Sequence, residues 1–201
     1  MSARIFFFCF LLSAPALAFA GHGFMTAFGN IEWLPEPGRT PDSAWYRLDA
    51  WQEEGQLLLA CDPEAKDRLC LTFAREKLAE VEAMVKAENA QAAETAADRY
   101  REYVDRAKRI VSDGMEPTAK ESLAEVMANA LLEHQYILSV IYEELPASTR
   151  AVVPRLIAAA QERYQDVTRL LPPKKKGALF FKEEEVRWSV QMAMRADENN
   201  P

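Results

Sequence analysis

The side chains with the widest chemical repertoire are few: two histidines and three cysteines in 201 residues. Leu123, Met127, Ala130, His134, Ile137 and Ile141 step by three and four, which puts His134 on the apolar face of a helix. An imidazole there could titrate near neutrality or offer a nitrogen to a metal. Metal sites need three or four converging donors, and Glu133 and Tyr136 point off that face. The spacing therefore predicts a buried histidine bonded to backbone or to a tyrosine, with a pH or ligand response at His134 as the alternative. His22 would be the second residue after removal of a leader, where its ring and the new amino group could hold a soft divalent ion such as copper. Plain solvent exposure in an arm is the simpler reading.

Cys61 and Cys70 stand nine residues apart, a rise of about 13 Å along a helix, whereas a disulfide needs Cα atoms about 4.4 to 6.8 Å apart. Two buried free thiols are expected, even in an oxidising compartment. The carboxylates Asp62, Glu64 and Asp67 suit the positive end of a helix. Glu76 with Lys77 and Glu80, and Asp98 with Arg99, Arg101 and Glu102, read as solvated helix faces. No Gly-x-Ser-x-Gly elbow, Gly-rich phosphate loop or His-Glu-x-x-His pair occurs. The sequence thus nominates no catalytic residue, no cofactor-binding residue and no metal ligand, and the expectation is a protein that is not an enzyme. Tyr100, Tyr103, Trp45 and Trp51 are expected in the core because aromatic rings carry large apolar area. Phe24, Phe28, Trp33 and Trp188 lie outside the strong seams, and Trp33 and Trp188 are the candidate interaction residues.

The elements that must position these groups follow from periodicity. An apolar fraction of 49% with 27% charged residues describes a chain that buries a core. A formal net charge of -7 argues against a nucleic-acid partner. Residues 1–20 carry Arg4, the apolar run Ile5 to Leu12 and the small-x-small ending Ala18-Phe19-Ala20, which predicts a signal peptide cleaved after Ala20. A periplasmic or secreted protein is expected, without membrane contact after cleavage. Residues 21–39 mix Gly, Pro and aromatics and read as an irregular N-terminal arm.

From Thr40-Pro41, a cap followed by proline at the first helical position, five helices are expected. Leu48, Trp51, Gly55 and Leu58 make one face of the first. Asp62-Pro63 opens the second, whose seam is Leu71, Ala74, Leu78, Val81 and Val85, spaced as in a coiled coil or antiparallel bundle. Asn89 breaks it from a third with Ala93, Ala96, Tyr100, Tyr103, Ala107 and Ile110, stopping at Ser112-Asp113-Gly114. Thr118 to Glu121 is a capping box for the fourth, which ends near Leu145 before Pro146. Pro146 can open the fifth, with Pro154 kinking it or moving its start; Leu156, Ala160, Tyr164, Val167 and Leu171 carry its face. Residues 172–201 read as a linker and tail, because Val186, Trp188 and Val190 alternate like a strand while Phe181, Trp188 and Met192 could share a helix face.

The fold predicted is all-α: an antiparallel bundle of about five long helices over residues 40–171, with an irregular N-terminal arm and a C-terminal tail. Pro41-Asp42-Ser43-Ala44-Trp45-Tyr46-Arg47-Leu48 with Trp51, then Asp62-Pro63-Glu64-Ala65-Lys66 with Leu69 and Leu78, and Glu133-His134 through Leu145-Pro146, resemble the domain-of-unknown-function 5667 family of exported prokaryotic proteins. The resemblance runs from about Pro37 to Leu170. It implies an extracytoplasmic helical domain and carries no catalytic residue with it. Gly55, the pair Cys61 and Cys70, and the tail after Leu171 depart from the family pattern. Function is therefore expected from surface: a non-catalytic interaction or scaffolding module contacting an envelope protein. The alternative is a periplasmic metal- or stress-responsive sensor or chaperone, for which His134, His22 and the methionines would matter.

Overall fold

A computed structural model of the chain describes residues 27–113, 116–142 and 144–198. The expected signal peptide, its cleavage site, His22, Phe24 and the Gly114 stop lie outside the described residues. Six helices follow the arm in order: α1 (Tyr46–Leu59), α2 (Pro63–Lys86), α3 (Ala90–Ser112), α4 (Pro117–Tyr142), α5 (Val152–Thr168) and α6 (Pro173–Glu198). No strand occurs among the described residues.

Local chemistry sets most of the boundaries. The Asp62 carboxylate accepts from the Ala65 N–H at 3.0 Å, and Pro63 takes the first helical position, where a missing N–H costs nothing. Between α2 and α3 the Asn89 N–H bonds to the Met84 carbonyl and the Glu88 N–H to the Val85 carbonyl, the two bonds of a Schellman motif. Glu88 holds the left-handed position of that motif, with φ of 55°. Asn89 then caps α3 through its side chain, accepting from the Ala92 N–H.

Three boundaries differ from expectation. Residues 41–45 form turns, so α1 starts at Tyr46 rather than at Pro41. Proline at its fixed φ opens α4 at Pro117, leaving Thr118 inside the first turn instead of at the cap. Turns occupy residues 144–151 except for Pro146, and α5 starts at Val152, which keeps Pro154 in the first turn where it breaks no helical bond.

Helices α2 and α3 pair most intimately, as a hairpin, and α4 pairs with α5; α3 packs on α5 and α2 on α4. These four make the bundle, with α1 joined to the α2 side and α6 to the α4 side. The predicted seams of α2, α3, α4 and α5 are buried in this arrangement, apart from half-exposed Ile110 and Ala130. The count of five was one short because the tail is itself a helix. Leu179, Val186 and Ala193 recur every seventh residue and are buried, a period the strand-like alternation of Val186, Trp188 and Val190 obscures.

Candidate interaction site

Helix α1 is docked by its polar side. Tyr46, Glu53 and Leu57 stand at i, i+7 and i+11 and face the bundle; Glu53 and Leu57 are buried and Tyr46 is half-buried. Below them Lys77 of α2, whose side chain is 1% exposed, lies 2.6 Å from Glu53 Oε1 and donates to Glu80 Oε1 at 2.6 Å. From α3 the Tyr103 hydroxyl donates to Glu53 Oε2 at 2.5 Å, and the Arg99 guanidinium stands 3.6 Å from the same oxygen. The Lys77 ammonium also lies over the Tyr46 ring, 5.3 Å from its centroid. At the edge Arg106 pairs with Glu54 of α1 and with Glu102.

Lys77 thus faces two buried carboxylates, while Arg99, at the partly exposed rim, is shared between Glu53 and Glu102. Burial would lower the Lys77 pKa, but its bonds to Glu53 and Glu80 outweigh that, and it stays raised. Burial lifts Glu80 to about 7 against the pull of Lys77. Burial and the neighbouring Glu80 carboxylate push the Tyr46 phenol up. Glu80 Oε2 and the Tyr46 hydroxyl make no well-aligned hydrogen bond. The cluster clamps α1 to α2 and α3 through Glu53, which meets Lys77 on one and Tyr103 on the other.

The other side of α1 is the reverse of what a helix normally shows to solvent. Trp51 is 75% exposed, Leu58 81% and Leu59 82%, with Trp45 and Leu48 also exposed. Gly55 lies on the same side, with open space above it. The face predicted from Leu48, Trp51, Gly55 and Leu58 is therefore present but turned outward. Tyr100 and Tyr103 are buried as expected, while Trp45 and Trp51 are not, because Lys77 and Glu80 occupy the ground under α1 and demand carboxylate and phenol above them.

A second outward apolar stripe runs along α6: Phe181, Trp188 and Met192 are exposed, with Phe180 beside them. Trp188, on α6, is 65% exposed and Trp33, on the arm, 45%. The described part of the arm bearing Trp33 is tied down at two points. Ala27 donates to Glu185 of α6 and Phe28 stacks on Tyr136 of α4, while Arg75 of α2 binds Glu32 and the Trp33 carbonyl, each at 2.8 Å.

His134 lines a cleft of about 450 Å³ between the arm, α2 and α4. Its Nδ1 lies 3.2 Å from the Tyr100 hydroxyl, so of the two partners expected, backbone or a tyrosine, it meets a tyrosine. Burial, helped by the Arg75 charge, lowers its pKa to about 3. No group of three or more potential metal-binding His, Cys, Asp or Glu side chains occurs among the described residues. Both Cys61 and Cys70 are free, but only Cys70 is buried; Cys61 is exposed in the turn before α2. Asp67 is fully buried with neither carboxylate oxygen hydrogen-bonded, and burial lifts its pKa to about 7.

Sequence reasoning missed Asp67, Lys77 and Glu80 as buried groups, assigning them to a helix start and a solvated face. A signal existed for two of them: Asp67, Cys70, Ala74, Lys77, Val81 and Met84 step 3, 4, 3, 4 and 3, a second seam beside the one chosen. A helix packed against neighbours on two sides needs both.

The fold defines a protein that is all-helical over its described residues, with a buried charge cluster where α1 meets α2 and α3. The profile of a domain of unknown function, DUF5667, matches residues 38–148, more than half of the chain, and the chain belongs to that family. The matched stretch contains α1 to α4, and so the whole charge cluster and the α1 face; α5, α6 and Trp188 lie beyond it. No curated protein and no solved structure matches the chain.

Proposed function

We propose that this protein is a non-catalytic interaction or scaffolding module of the cell envelope. The observation that carries the reading is the inverted α1: a short helix that spends its polar side chains inward and offers Trp45, Leu48, Trp51, Leu58 and Leu59 outward. Exposed apolar patches of this kind mark contact surfaces. The outward stripe of α6 supplies a second contact on the side of the bundle away from α1, which suits a protein that joins two others. The signal-like residues 1–20 are the ground for placing it in the envelope, and among the described residues no helix is long and apolar enough to cross a membrane.

Photo-crosslinking side chains placed at positions 51 and 188, with exposed Gln91 as a control site, test the reading in intact cells. Adducts from 51 or 188 and none from 91 are expected. Absence of adducts from both faces would remove it. Fractionation of the same cells tests the compartment, and a cytosolic pool of the processed chain would overturn that part.

A further inference from the structure

Two properties of the α1 face bear on what covers it. The first is size. Trp45, Leu48, Trp51, Leu58 and Leu59 together expose on the order of 700 Å², given about 150–250 Å² for a whole aromatic side chain. That exceeds the largest apolar patch of a typical monomer, roughly 300–600 Å², and approaches the about 800 Å² that each partner contributes to a standard interface. The second is charge. Among the described residues the Arg47 side chain has no ion-pair or hydrogen-bond partner, though most cations on this chain have one. It stands at the N-terminal end of the stripe. Past the other end lies Asp62, which opens α2 and is exposed, and the last turn of α1 contains no cation to offset its free carbonyls.

We infer that the α1 face pairs with the α1 face of a second copy of this chain, the two helices antiparallel and crossing at Gly55. The inference rests on reading α1 as a contact surface. An antiparallel pair about a two-fold axis is closed and self-complementary. It sets Trp51 of one copy against Leu58 of the other. It brings each Arg47 to the negative end of the other α1 and toward the other copy's Asp62, favourable for both helix dipole and charge. A parallel pair would stack Arg47 on Arg47 instead. Glycine is disfavoured inside a helix, and here the space above Gly55 is open, so two backbones can approach there closely. The α6 stripe stays uncovered in such a dimer, leaving two copies of it for other proteins.

Sedimentation equilibrium of the purified protein decides the matter. A mass of two chains is expected, falling to one chain for Trp51→Glu and Leu58→Glu with helix content unchanged, while Trp188→Glu stays dimeric. Arg47→Glu is expected to weaken the dimer by about ten-fold or more. Should the charged variants fail to fold, Gly55→Cys in a Cys61→Ser background gives a second readout: oxidation yields a covalent dimer if the helices cross there. A single-chain mass up to about 100 µM, a dimer lost with Trp188→Glu, or no covalent dimer would each overturn the inference. A single-chain mass with position 51 still captured by a different protein rejects the second copy and leaves the interaction reading standing. A single-chain mass with no adduct from 51 or 188 rejects both.

Discussion

Lys77 of α2 and Glu53 of α1 meet at 2.6 Å where their side chains are 1% and 6% exposed. That contact fixes which way α1 faces. An amphipathic helix normally docks its apolar stripe, but a buried ammonium flanked by Glu80 leaves no room for one above it: the helix lying there must bring a carboxylate. Glu53 is that carboxylate, and Trp51, two residues earlier and about 160° around the helix, is turned to solvent as a consequence. The outward apolar face and the inward charge cluster are therefore one design.

Removing the cation should expose how much rests on it. Lys77→Met leaves Glu53 and Glu80 buried without their shared partner, and breaking a buried ion pair from one side destabilises by about 3–5 kcal/mol. Adding Glu53→Gln and Glu80→Gln to Lys77→Met should recover much of that loss, because no uncompensated charge remains. Urea unfolding of the single and triple variants checks both, and equal stability of wild type and Lys77→Met would show that the cluster is not a clamp.

Two isolated buried groups give stability opposite dependences on pH. Asp67 titrates near 7 in the fold against about 4 unfolded. Its stabilising contribution is present below about pH 4 and lost as pH rises through 7. His134, lowered to about 3 from 6.5, contributes stability above pH 6.5 that is lost as pH falls toward 3. Glu80 leans the same way as Asp67. Asp67→Asn should accordingly gain on wild type by on the order of 2–4 kcal/mol between pH 4 and pH 8. His134→Gln should gain on wild type as pH falls from 6.5 to 4. Urea unfolding at pH 4, 6.5 and 8 measures both, and a pH-independent difference for either variant would contradict its assignment.

Much of the bundle was legible because its buried seams are apolar and recur at helical spacing. The α3 series through Tyr100 and Tyr103, and the α5 series through Tyr164, are of this kind. Asp62 and Asn89 were legible as caps because the signal is local chemistry. The direction α1 faces was not, since it depends on Lys77 and Glu80, residues from a different helix whose type argues for solvent. The α6 helix was hidden for a related reason: its buried positions are seven apart, and Trp188 among them faces out. Periodicity reports that a face exists; what lies opposite decides whether it is buried.

The two thiols should separate by reactivity. Cys61 is exposed in a turn, whereas Cys70 is buried and burial, with Asp67 beside it, lifts its pKa to about 11. Maleimide at pH 7.5 is expected to modify Cys61 rapidly and Cys70 only after unfolding. Mass spectrometry of peptides from native and denatured samples reads this directly. A native disulfide joining the two would refute the free thiols and the geometry of the α2 start.

The turn between α2 and α3 holds a strain that one substitution should release. Glu88 adopts φ of 55° at the position of the Schellman motif that glycine usually fills. A side chain there is disfavoured by about 1–2 kcal/mol. Against this, Glu88 accepts from the Ser148 hydroxyl at 3.0 Å, an exposed bond of small net value. Glycine gives up that bond and gains freedom in the unfolded chain, which offsets part of the relief. Glu88→Gly is therefore expected to raise stability by about 0.5–1 kcal/mol, while Glu88→Val, branched at Cβ, should lower it by at least as much. Thermal unfolding of the pair gives the sign of each, and a destabilised Glu88→Gly would mean that the Ser148 bond outweighs the backbone conformation.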